Sequence, residues 1–269
     1  MSGTVAWWTD PHFELLSEVQ RKQVLDAWSE ASADCGIITG DISHGSSTLS
    51  WLRQLAAVFP RPIYFVLGNH DFYGTSIVRQ RDAARKLCDE VANLTYLTSS
   101  DVISLSSDTA LVGHDGWGDM REGDWEGTGV RPPDLDAIED LIEVAGDRHG
   151  LCRRLRQLGD EAAEHFDKVL PEALEQHKRV IVATHVPPFR EASWYDGENS
   201  TPAWLPFFCC RIVGEVLIEM AERYPDREVS VLCGHCHGTG EVGIRENLHV
   251  RTGGAEPCSP QVQGTVGFV

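Results

Sequence analysis

Ile63-Tyr64-Phe65-Val66-Leu67-Gly68-Asn69-His70-Asp71 joins five apolar or aromatic residues directly to a glycine and three polar side chains. A run this short, rich in β-branched and aromatic residues and closed by glycine, reads as a buried strand ending in a tight turn. The same figure recurs along the chain. Residues 5–8 lead into Asp10-Pro11-His12, and residues 36–39 into Gly40-Asp41. Residues 180–183 lead into Thr184-His185, and 229–233 into Gly234-His235-Cys236-His237. Residues 110–112 read as a further strand, and amphipathic helical stretches at 13–30, 48–58, 76–91 and 207–224 lie between these runs. Strands alternating with helices predict an α/β domain. Ligands in open α/β sheets bind beyond the carboxyl ends of the strands, so the five polar loops are expected to converge on one crevice.

The rest of the chain fits one domain spanning residues 1–269. Residues 132–178 read as a helical insertion with two apolar stripes, in which Pro171 is expected to end or kink a helix, or to begin a new one. Two irregular loops, 113–130 and 187–206, carry Trp117, Trp125, Trp194, Tyr195 and Trp204. Such aromatics either stack on a substrate ring or anchor their own loops. After residue 240 the pattern is of antiparallel strands at 241–245, 248–252 and 262–269, with a turn at 253–260.

Composition bounds the function. The formal charge of −18 on 269 residues disfavours long nucleic acid, whose binding needs a basic footprint. It leaves a small phosphorylated substrate open. No stretch has the ~20 apolar residues of a membrane span, and residues 1–8 lack the form of a secretory signal. The expectation is therefore a cytoplasmic protein without a membrane partner. Most of the eight cysteines fall in apolar segments, as reduced, buried thiols do.

The chemistry lies in the residue types at the loops. Several imidazoles, a few carboxylates and one amide oxygen make the donor set of a two-cation site, with ions about 3.5–4 Å apart. The set here is Asp10, His12, Asp41, Asn69, His185, His235 and His237, with His70 beside it. The series Asp-Pro-His, Gly-Asp, Gly-Asn-His-Asp, Thr-His and Gly-His-Cys-His, running from residue 10 to residue 237, resembles the five-block pattern of the calcineurin-like metallophosphoesterases. The resemblance implies a four-layer α/β/β/α sandwich of two mixed sheets. It also implies hydrolysis of a phosphomonoester or phosphodiester by in-line attack of a metal-bound hydroxide. By position, Asp10, His12 and His237 would hold one metal, Asn69, His185 and His235 the other, and Asp41 would bridge them. His70 would stabilise the phosphate and protonate the leaving group. Mixed nitrogen and oxygen donors suit Mn, Fe, Zn, Co or Ni.

Other features have two readings each. His44, three residues after Asp41, matches a phosphate-facing histidine of the superfamily's repair nucleases, or is a loop histidine bonded to backbone. His114, in Gly113-His114-Asp115, faces the substrate pocket or is structural. Asp71 orients His70 or serves its own turn. Arg79, Arg81 and Arg85 grip a second phosphate or line a solvated helix face. Cys233 and Cys236 lack the second cysteine pair that a closed zinc site needs. Competing functions are a protein phosphatase or nuclease at the same site, and a non-catalytic binding module on the same fold.

Overall fold

The computed structural model describes residues 3–255 and 263–268. The chain opens with β1 (Gly3–Trp8), α1 (Glu18–Glu30), β2 (Cys35–Thr39), α2 (Ser46–Val58), β3 (Ile63–Val66), α3 (Ile77–Glu90) and β4 (Leu94–Tyr96). It continues through β5 (Ile103–Ser104), β6 (Thr109–His114), α4 (Asp134–Ala137), α5 (Glu139–Ile142), α6 (Arg148–Gln176) and β7 (Arg179–Thr184). A small hairpin, β8 (Trp194–Tyr195) and β9 (Glu198–Asn199), precedes α7 (Leu205–Phe208) and α8 (Arg211–Arg223). The remaining strands are β10 (Glu228–Cys233), β11 (Gly240–Arg245), β12 (Leu248–Thr252) and β13 (Gly264–Phe268).

Two mixed sheets result. The first has the order β13-β1-β2-β3-β4 and the second β11-β12-β10-β7-β6-β5. In the first, only β13 runs antiparallel, against β1. In the second, β11 and β5 run antiparallel to an otherwise parallel set.

Alternation along each strand builds the layers, because successive side chains point to opposite faces. Val5 and Trp7 of β1 pack with Ile37, Leu111, Ile181 and Leu232 in a core between the sheets. Ala6 and Trp8 point the other way, into a core shared with Trp28, Leu52, Leu55 and Leu87 of α1 to α3. On the far side, Val180, Val182 and Val231 meet Phe166, Leu170, Leu217 and Met220 of α6 and α8. The layers are therefore α/β/β/α, as the resemblance implies. Each fully buried Leu or Phe in these cores contributes about 1.5–3 kcal/mol.

Element boundaries differ from the sequence pattern in three places. The stretch at 13–30 splits into a 3-10 turn (Phe13–Leu15) and α1. Ser17 caps α1, accepting from Gln20 N while Ser17 N donates to the Gln20 side chain. The stretch at 207–224 splits at Cys209 and Cys210, whose break is satisfied from outside: Asp119 N donates to Cys209 O, and Cys210 N to Pro187 O. Pro171 neither ends nor kinks α6 enough to divide it. Its missing N–H forfeits one hydrogen bond, and the fully buried Leu170, Ala173 and Leu174 around it hold the helix. The expected turn at 253–260 lies mostly outside the described residues. Among those described, no helix is long and apolar enough to cross a membrane.

Candidate metal centre

The five loops do meet. They leave the carboxyl ends of β1, β2 and β3 in one sheet and of β7 and β10 in the other, so the site lies at the seam between the sheets. Backbone bonds stitch the loops together: Asp10 N donates to Gly40 O (3.0 Å), His12 N to Asp41 O (3.1 Å), and Gly234 N to His185 O (2.9 Å). Glycine is required where the chains touch. A Cβ on Gly68 would lie 2.2 Å from Asp41 Oδ1 and 2.5 Å from Asp41 N. The side chains themselves are held in a costly backbone conformation. Asp10, His12, Asp41, His235 and His237 all have positive φ, between 43° and 69°. Left-handed backbone costs a non-glycine residue about 1–2 kcal/mol. Such strain persists only where surrounding structure enforces it, and it gathers at functional sites.

The side chains fall into two groups that share Asp41. In the first, His12 Nε2 lies 3.2 Å from His237 Nε2 and 3.6 Å from Asp41 Oδ2, and His237 Nε2 lies 3.6 Å from Asp10 Oδ1. In the second, Asn69 Oδ1 is 3.1 Å from His185 Nε2 and 3.0 Å from His235 Nδ1. His185 Nε2 is in turn 3.4 Å from Asp41 Oδ1. One carboxylate thus turns one oxygen to each group.

The outer nitrogens decide what the inner ones are. His185 Nδ1 donates to Thr39 O (2.8 Å), His235 Nε2 to Phe207 O (3.3 Å), and His12 Nδ1 to Glu14 Oε1 (3.0 Å). A neutral imidazole carries one N–H, so these bonds leave a lone pair on each inward-facing nitrogen. In the second group His185 Nε2, His235 Nδ1 and Asn69 Oδ1 then face one another as three acceptors within 3.2 Å. Acceptors repel at that distance unless positive charge, a proton on one imidazole or a metal ion, stands among them, and imidazole, carboxylate and amide oxygen are suitable donors for a divalent cation. Carboxylate or carbonyl partners on ligating histidines are the usual second layer of such sites.

Electrostatics agrees. Burial pushes His12 and His185 down, but Glu14, Asp41 and Asp10 outweigh it at His12, raising it to about 9, and Asp41, Asp10 and the Thr39 carbonyl outweigh it at His185, raising it to about 10. Burial likewise pushes Asp41 up, and the facing imidazoles overcome it, holding the carboxyl well below its usual range. The pocket stabilises positive charge. Donor atoms of Asp10, His12, Asp41 and His237, and of Asp41, His185 and His235, each lie within 4.8 Å of one another.

His70 flanks both groups. Its amide donates to Asp41 Oδ1 (2.9 Å), and its Nε2 stands 3.9 Å from Asp41 Oδ2, with the side chain 26% exposed. His44 is brought beside it, Nε2 to His70 Nδ1 at 3.1 Å. His114 is not brought in: it ends β6, buried against His165 and Phe166, and its Nδ1 accepts from Gly116 N. Asp71 serves its turn, accepting from Ile42 N, Ser43 N, Gly68 N and Thr48 Oγ1. Arg79, Arg81 and Arg85 pair with Glu139, Asp115 and Asp82. Cys233 and Cys236 face Thr252 and Ser193, not each other.

Two residues were missed from sequence. Glu14 Oε1 is reached by His12 and by His44 (3.2 Å), and lies 4.0 Å from His70 Nδ1. Its position two residues after His12 was the only available signal. Asp134, from the helical segment, accepts from Asn69 Nδ2 (2.7 Å) and from Tyr73 OH (2.8 Å). Nothing in its neighbourhood distinguishes it from any acidic loop residue.

Comparison with known proteins bears on the fold and the family. No curated protein matches the sequence. The fold is similar to that of a phosphopantetheinyl hydrolase from Mycobacterium tuberculosis, at 15% identity and a TM-score of 0.62, covering 93% of this chain and 89% of that one. It is also similar to a dimetal phosphatase from Danio rerio, at 15% identity and a TM-score of 0.55, covering 93% and 86%. The family profile described as calcineurin-like phosphoesterase matches residues 4–238. Spanning most of the sequence and all five loops, that match places the chain in the calcineurin-like phosphoesterase family, a family of metal-dependent phosphoester hydrolases.

Proposed function

We propose that this protein hydrolyses a phosphomonoester or phosphodiester of a small molecule at a centre of two divalent cations. The observation that carries the reading is Asp41, whose two oxygens address two separate groups of donors. Asp10, His12 and His237 would hold one cation, Asn69, His185 and His235 the other. When bound, the cations supply an activated water and neutralise the phosphoryl oxygens. His70 sits on the open side of the pair, where its Nε2 gives a proton to the departing alkoxide. His44 packs against it and braces the ring.

The charge of −18 supports a small substrate over long nucleic acid. Trp204, 39% exposed, supports one with an apolar portion: it packs on Phe208 (5.0 Å), which packs on His235 (4.6 Å). The seven cysteines among the described residues are free thiols, which supports a cytoplasmic location.

Metal analysis of the purified protein is the first test, with two equivalents expected. Turnover of p-nitrophenyl phosphate, its bis-ester and cyclic nucleotides with added Mn²⁺ is the second. A fully loaded protein that turns over none of them would favour a binding module instead. His70→Ala should keep both metals and slow turnover of a poor-leaving-group substrate by about two to four decades, the usual worth of a general acid.

A further inference from the structure

We propose that Asp134 is a positioning residue: by accepting from Asn69 Nδ2, it turns the Asn69 amide oxygen toward His185 and His235. The inference rests on the reading that Asn69 serves a cation. A carboxamide is nearly symmetrical in shape, so its neighbours alone decide which end faces a site. Presented the wrong way, its NH₂ group would point two donors at a cation. A carboxylate can only accept, and Asp134 Oδ1 lies 2.7 Å from Asn69 Nδ2, which leaves Oδ1 as the inward atom. That oxygen stands 3.0–3.1 Å from the two ligand nitrogens.

The same carboxylate oxygen also accepts from Tyr73 OH at 2.8 Å. The Tyr73 ring is stacked on His70, with centroids 4.5 Å apart and planes 23° from parallel. Asp134 therefore braces both Asn69 and, through Tyr73, the plane of His70. Its own place is fixed by bonds between its segment and the loop after His70. Gly74 N donates to Ala137 O (2.7 Å), Glu139 N to Thr75 O (3.1 Å), and Ile77 N to Asp140 Oδ2 (2.8 Å). The helical segment outside the five motif blocks thus supplies a working part of the centre.

The test is Mn²⁺ binding by calorimetry on the full chain, compared among wild type, Asp134→Leu, Asp134→Asn and Tyr73→Phe. Failure of the wild type to bind two ions sinks the proposed function. With two sites in the wild type, Asp134→Leu should weaken one of them at least tenfold, the usual effect of removing an outer partner, on the order of 10–100-fold. The other site should stay within about twofold. Asp134→Asn should keep binding, because its amide oxygen, in the place of Oδ1, can still accept from both Asn69 Nδ2 and Tyr73 OH. Tyr73→Phe should leave both sites unchanged, since the Asn69 bond survives. Asp134→Ala carries the same expectation if the leucine variant does not fold. Wild-type affinity at both sites in either apolar variant overturns the proposal, as does an equal loss in Asp134→Asn.

Discussion

His114 offers a quantitative test of the difference between a site histidine and a structural one. It is 4% exposed, and burial, helped by Arg81 and His165, holds its pKa down at about 3 despite the neighbouring Asp115. In the unfolded chain a histidine titrates near 6.5. As pH falls below that value the unfolded state takes up a proton that the folded state refuses, so stability is lost on acidification. Each pH unit between the two pKa values is worth about 1.36 kcal/mol. Integrated from pH 7 to pH 5, the loss from this one group is about 2 kcal/mol. The perturbation is His114→Asn, whose side-chain oxygen can replace Nδ1 as the acceptor for Gly116 N. The assay is urea unfolding of both proteins with EDTA at pH 7, 6 and 5. The variant starts lower because of lost packing, but its further loss on going to pH 5 should be smaller by about 2 kcal/mol. Parallel pH dependences would refute the argument, and would mean that the folded state lets His114 take up its proton.

Two further expectations concern the centre and the thiols. Asp41→Asn keeps the shape of the bridge and removes its charge, so metal content and activity should fall together; a variant with wild-type metal stoichiometry contradicts the bridging role. Burial pushes the thiols of Cys35, Cys210 and Cys233 up to about 12, and unreactive thiols follow from the lack of thiolate. Alkylation of the native protein at pH 8 should therefore spare these three while reaching the half-buried thiols, Cys88 and Cys152, first among the described cysteines. Rapid labelling of Cys233 would show that β10 opens.

The legible part of this protein is the part written locally. Strand, glycine turn and donor residue follow one another within a few positions at Asp41, Asn69 and His235, so the order of elements and the set of converging loops could be read directly. What escaped depends on distant chain. Pro171 breaks helices by a local rule, and here burial of its neighbours prevails over it. Cys209 and Cys210 interrupt a clean apolar stripe because Pro187 and Asp119, far away in sequence, take up the backbone groups. His114 sits in the same strand-end position as the true loop residues, yet β6 runs two residues further than its apolar run suggests, and the side chain turns toward α6. Glu14 and Asp134 matter through what they accept from, and an acceptor's partners cannot be read from its neighbours in the chain.

The strain at the centre has a thermodynamic consequence that can be measured. Five donor residues hold left-handed φ, and glycine, which would relieve it, would delete the donors. This strain opposes folding and does not serve the hydrophobic cores, so the fold tolerates it for the sake of what the donors bind. Anything that binds only the native state adds RT ln(1 + [L]/Kd) to its stability, about 4 kcal/mol at a thousandfold excess over Kd. Unfolding with saturating Mn²⁺ and with EDTA should therefore differ by an amount that grows with the logarithm of metal concentration. In Asp41→Asn that dependence should nearly vanish. A wild type whose stability ignores the metal would mean that the strained loops are organised around something other than cations.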